Sequence, residues 1–329
     1  MSAEPFAEGE TVLLVDKGEN RRLIRLRAGA KAHGHKGYLE HDRIIGAAEG
    51  VLVRSSTGAT FLVFRPRLAD YALEMPRKSA IVYPKDIGFI LVWGDIFPGA
   101  TVVESGLGSG SLTLALLRAV GSTGQVIVYE QRADMIPPAM TNIRGFTPPD
   151  GLADADRTQD QDILDDLRTL DAPETMRADG PPNLMIRERD IYEGIEETDV
   201  DRLVLDLPEP WRVIPHALDA LRPGGVLACY SPSIIQVQRT TEALVETRGF
   251  AQTESLEVLY RPWHLKGQAV RPVQQMVSHT AFLTFSRRLA ARGRRPWDVL
   301  PSSDSHDDEP LLLEDAVSDP EGAQADALE

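Results

Sequence analysis

Two kinds of apolar pattern divide the chain. From Gly9 to about Arg67, short β-type runs (Thr11-Val-Leu-Leu-Val15, Val51-Leu-Val53 and Thr60-Phe-Leu-Val-Phe64) are separated by glycine turns such as Thr57-Gly58. That spacing predicts a small β domain over residues 1–68. A linker holding Pro66, Pro76 and Pro84 then leads into apolar strands that alternate with helical segments, the pattern of a parallel sheet covered by helices on both faces. Strands are expected at Thr101 to Val103, Gln125 to Tyr129, Asn183 to Ile186, Arg202 to Leu205, Val226 to Tyr230, Leu256 to Tyr260 and Thr280 to Phe285. Helices are expected at Ser111 to Val120, Arg212 to Leu221 and Gln236 to Arg248, the second stopped by Pro223-Gly224-Gly225. These strands make one seven-stranded α/β sheet over residues 69–295. The last two leave little room for a crossover helix, which predicts an antiparallel strand at the edge.

Two stretches break the pattern. Thr147 to Pro182 is rich in acidic residues and proline without a sustained apolar period, and reads as a mobile insertion with a short helix around Ile163 to Leu170. The tail over 296–329 is too polar to pack and reads as disordered. These stretches also explain the charge. The net value of -15 looks wrong for a partner of nucleic acid, but Ser302 to Glu329 holds ten acidic residues and no Lys or Arg, and Asp150 to Asp179 holds ten acidic and three basic. The rest of the chain is close to neutral. Its basic clusters, Arg21, Arg22, Arg25, Arg27, Lys31 and Lys36, and Arg287, Arg288, Arg292, Arg294 and Arg295, read equally as phosphate-binding surface or as solvated faces.

With 42% hydrophobic residues in 329, the chain can bury a large core. No apolar run approaches the roughly 20 residues of a membrane span, and Met1 to Glu10 has no signal pattern, so a cytoplasmic location is expected. A single cysteine, Cys229, excludes an internal disulfide and a thiolate zinc cluster, and its apolar strand context favours a packing role. His33, His35 and His41 have no cysteine with them and only two are closely spaced, so no metal is expected.

The chemistry gathers at strand ends. Thr101 to Val103 runs into Glu104-Ser-Gly-Leu-Gly-Ser-Gly-Ser111 and then a helix, which brings bare backbone and a helix N-terminus to one place. A phosphate-binding loop would need Gly-Lys-Ser/Thr at its end, and there is no lysine. A dinucleotide fingerprint would need glycine where Ser111 stands. The turn therefore pairs with Glu130, which ends the next strand and can accept hydrogen bonds from the two ribose hydroxyls of an adenosine. Asp190, after the third strand, reads as an adenine contact or as a cap. Asp206-Leu-Pro-Glu-Pro-Trp211 puts a carboxylate at the ligand-binding edge of the sheet with two prolines stiffening its loop and Trp211 packed beneath. Such a carboxylate can accept the N6-H of an adenine and stabilise positive charge on N1. Tyr83, in Tyr83-Pro-Lys-Asp86, is placed to stack on a flipped base.

Taken in order, Tyr83 to Asp86, Asp95-Ile-Phe-Pro-Gly99, the glycine turn, Tyr129-Glu-Gln-Arg132, Asp206 to Trp211 and Ala269-Val-Arg-Pro272 resemble the bacterial and archaeal tRNA (adenine-58-N1) methyltransferases, particularly the actinobacterial form. The resemblance runs from about Gly9 to Leu289 and includes Lys31-Ala-His-Gly-His-Lys-Gly37. It implies a homotetramer of class I (Rossmann-like) methyltransferase subunits that use S-adenosyl-L-methionine to methylate N1 of an adenine in the tRNA T-loop. It also implies that Glu104, Gly106, Gly108, Ser109, Gly110, Ser111, Leu112, Met135 and Ile191 bind the cofactor, with Glu130 on the ribose and Asp190 by the adenine. Asp206 would be catalytic and touch the cofactor, and Tyr83 would face the target base. Leu107 and Ser111 stand where the family usually has alanine, and Met135 where it often has histidine. Two alternatives stay open: a class I methyltransferase of another RNA base or a protein carboxylate, and a noncatalytic tRNA-binding partner subunit.

Overall fold

The computed structural model describes residues 4–146 and 180–291. The acidic stretch 147–179 with its expected helix, the cluster Arg292, Arg294 and Arg295, and the tail lie outside the described residues.

The first part is β structure, as the alternation predicts. Strands β1 (Thr11–Asp16), β2 (Arg21–Arg25), β5 (Leu52–Arg54) and β6 (Thr60–Phe64) form an antiparallel sheet in the order β2-β1-β6-β5, and β3 (Lys31–Gly34) pairs with β4 (Gly37–Glu40) as a separate hairpin. Phe6, Val12, Leu14, Ile24, Leu26 and Val63 fill its core. Much of the basic cluster is engaged here. Arg21 pairs with Asp70 at 2.7 Å, Lys36 with Asp16, and Lys31 lies over the Tyr38 ring.

The expected proline linker is instead helical. α1 (Leu68–Glu74) and α2 (Pro84–Trp93) fill it, with Pro84 in the first turn of α2, where its missing N–H costs nothing. Pro84 is thus a helix start, whereas Pro66 and Pro76 stand outside both helices.

Seven strands form the large sheet: β7 (Thr101–Ser105), β8 (Gln125–Tyr129), β9 (Leu184–Arg187), β10 (Val200–Leu205), β11 (Leu221–Ser231), β12 (Phe250–Glu257) and β15 (Phe282–Arg288). Their order is β12-β15-β11-β10-β7-β8-β9. Alternate residues of the central strands face opposite layers: Val102, Val126 and Val204 join one cluster, and Val103, Ile127 and Leu205 the other. Helices α3 (Ser111–Val120), α4 (Ile136–Gly145), α5 (Ile214–Ala220) and α6 (Ile234–Thr247) are the remaining α-helices among the described residues.

Two details correct the sequence reading. The antiparallel strand is β15, one place in from the edge between β11 and β12, and the edge strand β12 runs with the parallel set. β12 also begins at Phe250, directly after α6 ends at the left-handed Arg248, rather than at Leu256. The apolar letters Leu259 and Tyr260 that suggested a strand are exposed. Beyond them β13 (Trp263–Lys266) and β14 (Ala269–Pro272) make an isolated hairpin.

The chain order reverses beside β7, with β8 on one side and β10 on the other. In open α/β sheets that reversal opens a crevice at the carboxyl ends of the strands, and ligands bind there.

Candidate active site

β7 delivers the glycine turn to this crevice. Gly106 has φ +87°, and a Cβ there would stand 3.0 Å from the Asp206 carbonyl oxygen; Gly110, also at φ +87°, caps α3 against Ile143 of α4. Both need glycine for backbone conformation and for space. The serines tie the turn to the preceding segment: Ser109 Oγ lies 3.2 Å from Ser79 Oγ, and Asn142 of α4 donates to the Ser109 carbonyl at 3.0 Å. Ser111 is buried close to the Val82 carbonyl, and Leu112 points into the core.

Glu130 follows β8 and is buried. One carboxylate oxygen accepts from the Leu107 N–H at 3.1 Å and the other from the Arg132 N–H at 2.9 Å. An ionised carboxylate offers about four acceptor sites, so roughly two remain for a diol. Leu107 is buried rather than protruding, so the bulkier residue leaves the turn in place.

Glu104 ends up fully buried with neither oxygen hydrogen-bonded; the Thr113 hydroxyl lies beside it without closing a bond. Burial, reinforced by the nearby Asp206 and Glu130 carboxylates, pushes its carboxyl up to about 8. An orphaned buried carboxyl, glycines that no Cβ could replace, and spare acceptors on Glu130 together fit a cationic adenosine cofactor.

Asp206 follows β10, and its N–H donates to the Ser105 carbonyl at 3.2 Å. Burial raises its carboxyl to about 6. The stiff loop is tied down at several points: Gln236 donates to the Pro208 carbonyl at 2.9 Å, the Glu209 N–H donates to the Tyr192 hydroxyl at 3.0 Å, and Arg239 stacks over Trp211. Trp211 is thus half-buried under an arginine.

A cavity of about 310 Å³ opens on this carboxylate, within the roughly 300–1,000 Å³ of small-molecule sites. Tyr83, Asp206, Tyr230, His279 and Thr280 line it. Tyr83 is the N-cap residue of α2, which fixes its backbone at the rim. Tyr230, His279 and Thr280 were not picked out from the sequence. Tyr230 was detectable, because it lies near the C-terminal end of β11, the neighbour of β10; Thr280 opens the expected strand Thr280 to Phe285 and His279 stands just before it, at the end that only the reversed direction of β15 brings to the crevice. His279 faces the Glu257 carboxylate at 2.7 Å and the Pro232 carbonyl at 2.9 Å. Both partners accept, so a doubly protonated ring satisfies them, and these contacts hold its affinity for protons above the usual histidine value.

Asp190 caps a short helical turn, its carboxylate accepting from the Tyr192 N–H at 2.9 Å, and Ile191 packs in the core near Tyr129. Met135 is buried ahead of α4. His41 is buried and accepts from the Arg27 N–H, and no group of metal-binding side chains occurs among the described residues. Nor is any described helix long and apolar enough to cross a membrane.

The seven-stranded sheet with its antiparallel penultimate strand, the glycine turn at the point of reversal and the acidic end of β8 make this a class I S-adenosylmethionine-dependent methyltransferase. The family described as the tRNA methyltransferase complex GCD14 subunit matches residues 60–163 and 168–271, and a TrmI-like N-terminal family matches 5–53. The chain belongs to the GCD14 family. It is 34% identical over 280 residues to the tRNA (adenine(58)-N(1))-methyltransferase TrmI of Thermus thermophilus, covering 85% of this chain and 97% of that one. It is 38% identical over 277 residues to the tRNA (adenine(57)-N(1)/adenine(58)-N(1))-methyltransferase TrmI of Methanocaldococcus jannaschii, covering 84% and 94%. A solved structure from Thermotoga maritima, described as a SAM-dependent O-methyltransferase, superposes with a TM-score of 0.74 at 32% identity, covering 89% of this chain and 97% of that one.

Proposed function

We propose that this chain transfers a methyl group from S-adenosylmethionine to N1 of adenine 58 in tRNA. The observation that carries the reading is the convergence of Asp206, Tyr83 and Tyr230 on one cavity beside the cofactor turn, in a chain whose 34–38% identical relatives bear that activity in their names.

In this reading Glu130 holds the ribose through its spare acceptor sites, and Asp190 and Ile191 flank the adenine of the cofactor, with Leu112 and Met135 behind them. The turn from Glu104 to Ser111 supports the methionine portion. When bound, S-adenosylmethionine supplies a methyl group on positively charged sulfur. The protein's part is to present the lone pair of N1. Tyr83 stacks on the extruded base, and the Asp206 carboxylate accepts the N6-H on the N1 side, which fixes the ring in its plane. As positive charge grows on the adenine, that carboxylate stabilises it, and does so more strongly in a buried site than in water.

The same reading assigns residues 1–68 to a small β domain, 69–295 to the methyltransferase domain and the cytoplasm as its location. It makes the enzyme a homotetramer. The β13–β14 hairpin supports assembly: it hydrogen-bonds to no other strand among the described residues and exposes Trp263, Leu265 and Val270. An isolated two-stranded ribbon is marginal in water, and apolar faces of this kind mark protein contacts.

Incubation with unmodified tRNA and S-adenosylmethionine, followed by nucleoside mass spectrometry, tests the activity. The expected product is 1-methyladenosine at position 58. Methylation of another base, of protein carboxylates, or of nothing overturns the assignment.

A further inference from the structure

Asp206 sits between two fixed points, and the second is a single peptide group. Its own N–H is bound to the Ser105 carbonyl. Two residues on, the peptide joining Pro208 to Glu209 is held at both ends: its carbonyl accepts from Gln236 Nε2 at 2.9 Å, and its N–H donates to the Tyr192 hydroxyl at 3.0 Å. The bond is trans, so these two groups point in opposite directions. The plane is thus gripped from one side by the first turn of α6 and from the other by the helical turn that follows β9. Proline rings fix φ at Pro208 and Pro210. They leave free ψ of Pro208 and φ of Glu209, the two torsions that turn this plane. With proline on either side, Glu209 also supplies the only N–H from Pro208 to Pro210. The loop cannot be held there by several donors of its own.

Both grips are themselves oriented. Gln236 closes a capping box: its Oε1 accepts from the Ser233 N–H at 2.9 Å, while the Ser233 hydroxyl accepts from the Ile235 N–H at 3.2 Å. With the amide oxygen committed to the helix start, the amide nitrogen faces Pro208. Tyr192 is set by three neighbours. Its N–H donates to Asp190 at 2.9 Å, its carbonyl lies 3.2 Å from His216 Nε2, and its ring carries the Arg212 guanidinium 4.2 Å from the centroid. Arg212 in turn pairs with Glu209 at 2.9 Å. The turn that presents the tyrosine hydroxyl is therefore the one capped by Asp190.

We infer that Tyr192 and Gln236 are positioning residues for methyl transfer: together they stop the Pro208–Glu209 peptide from turning, and so hold the Asp206 carboxylate at one place in the cavity wall. Neither of them lines that cavity. Removing either grip frees the plane, because a hydrogen bond at one end alone lets it swing. The two grips therefore act as a unit, and losing the second after the first changes little. Independent contacts would instead add. A misplacement of about 1 Å can cost on the order of 100-fold in an oriented reaction. Loosening the peptide should thus appear in the rate and not in cofactor binding. The inference rests on the role proposed above for Asp206.

Tyr192→Phe removes the hydroxyl and keeps the ring under Arg212. Gln236→Glu keeps an acceptor for the Ser233 N–H, as a capping box allows, and sets an ionised carboxylate where Pro208 needs a donor. Single-turnover methylation of tRNA, with the protein saturated in S-adenosylmethionine, gives the rate, and calorimetry gives cofactor affinity. Each variant is expected to methylate about tenfold more slowly, with cofactor affinity within about twofold of wild type. The double variant should stay within about threefold of the slower single one. A loss of about a hundredfold in the double variant, the product of independent effects, overturns the inference. So does a wild-type rate in either single variant, or a loss that appears in cofactor affinity instead of rate. The split between rate and affinity is read in each single variant, so failure of one to fold leaves the other decisive. Absence of 1-methyladenosine from wild-type reactions brings down the functional reading and the inference with it, whereas wild-type rates from the variants bring down the inference alone.

Discussion

The N–H of Asp206 donates to the carbonyl of Ser105 at 3.2 Å, and in register Leu205 stands opposite Ser105. The glycine turn and the loop that begins at Asp206 thus leave the sheet from one rung. Their separation is set by backbone hydrogen bonding, whose spacing does not vary, and not by flexible side chains.

Asp206→Asn tests the cost of this placement. Burial holds the carboxyl at about 6, above its value of 3.8 in an unfolded chain. A raised folded value means that stability is fully present below the unfolded value and is lost as pH rises through about 6, because the ionised form is penalised. About two units correspond to roughly 3 kcal/mol as an upper bound. Asparagine should therefore raise the unfolding free energy at pH 8 by about 1–3 kcal/mol relative to wild type, and by much less at pH 4. Methyl transfer should fall at least about 100-fold. Denaturant titrations at the two pH values, with single-turnover kinetics, check both. A variant less stable than wild type at pH 8 contradicts the account.

Gly106→Ala should damage catalysis through geometry alone. The new Cβ would sit 3.0 Å from the Asp206 carbonyl oxygen at a φ of +87°, which disfavours any side chain. A loss of about 1–3 kcal/mol in stability is expected, with cofactor affinity reduced at least about tenfold. Wild-type affinity by calorimetry would show that the turn is not the cofactor cradle.

Cofactor binding should release a proton. Glu104 is held up at about 8, so it is mostly neutral at pH 7. The sulfonium and ammonium charges of S-adenosylmethionine favour its ionised form. Affinity should thus rise between pH 6 and 8 in wild type and rise less steeply in Glu104→Gln. Calorimetry at pH 7 in buffers of different ionisation enthalpy measures the proton count directly. Equal proton counts for wild type and the glutamine variant would remove Glu104 from this role.

Leu265→Asp places a charge on the most exposed of the hairpin's large apolar side chains. If the hairpin joins subunits, light scattering should show a species smaller than a tetramer while the isolated subunit keeps its circular dichroism. An unchanged mass would separate the hairpin from assembly.

Much of the large sheet was legible because its central strands are buried on both faces and so appear as apolar runs between glycine turns; β8 was bounded to the residue. The turn, Glu130 and Asp206 follow from that, since each directly succeeds a readable strand. The misses share another cause. α1 and α2 were hidden by prolines, whose meaning depends on whether a helix begins there. Tyr230 was passed over inside an apolar strand, and His279 and Thr280 owe their place to strand order, which no local pattern records. The hydrogen-bonded pair Asp86 and Thr280 is separated by 194 positions.

The reversed direction of β15 has a consequence for the order in which the molecule becomes competent. Because that strand runs against its neighbours, the segment leading into it, Val277 to Thr280, arrives at the same edge as the ends of β10 and β11. It must also slot between β11 and β12, two strands made earlier in synthesis. The glycine turn is complete once β10 has paired, but the cavity lined by Tyr230, His279 and Thr280 waits for this late, long-range insertion. On the function proposed above, a nascent chain would thus acquire a place for its methyl donor well before it can admit a base.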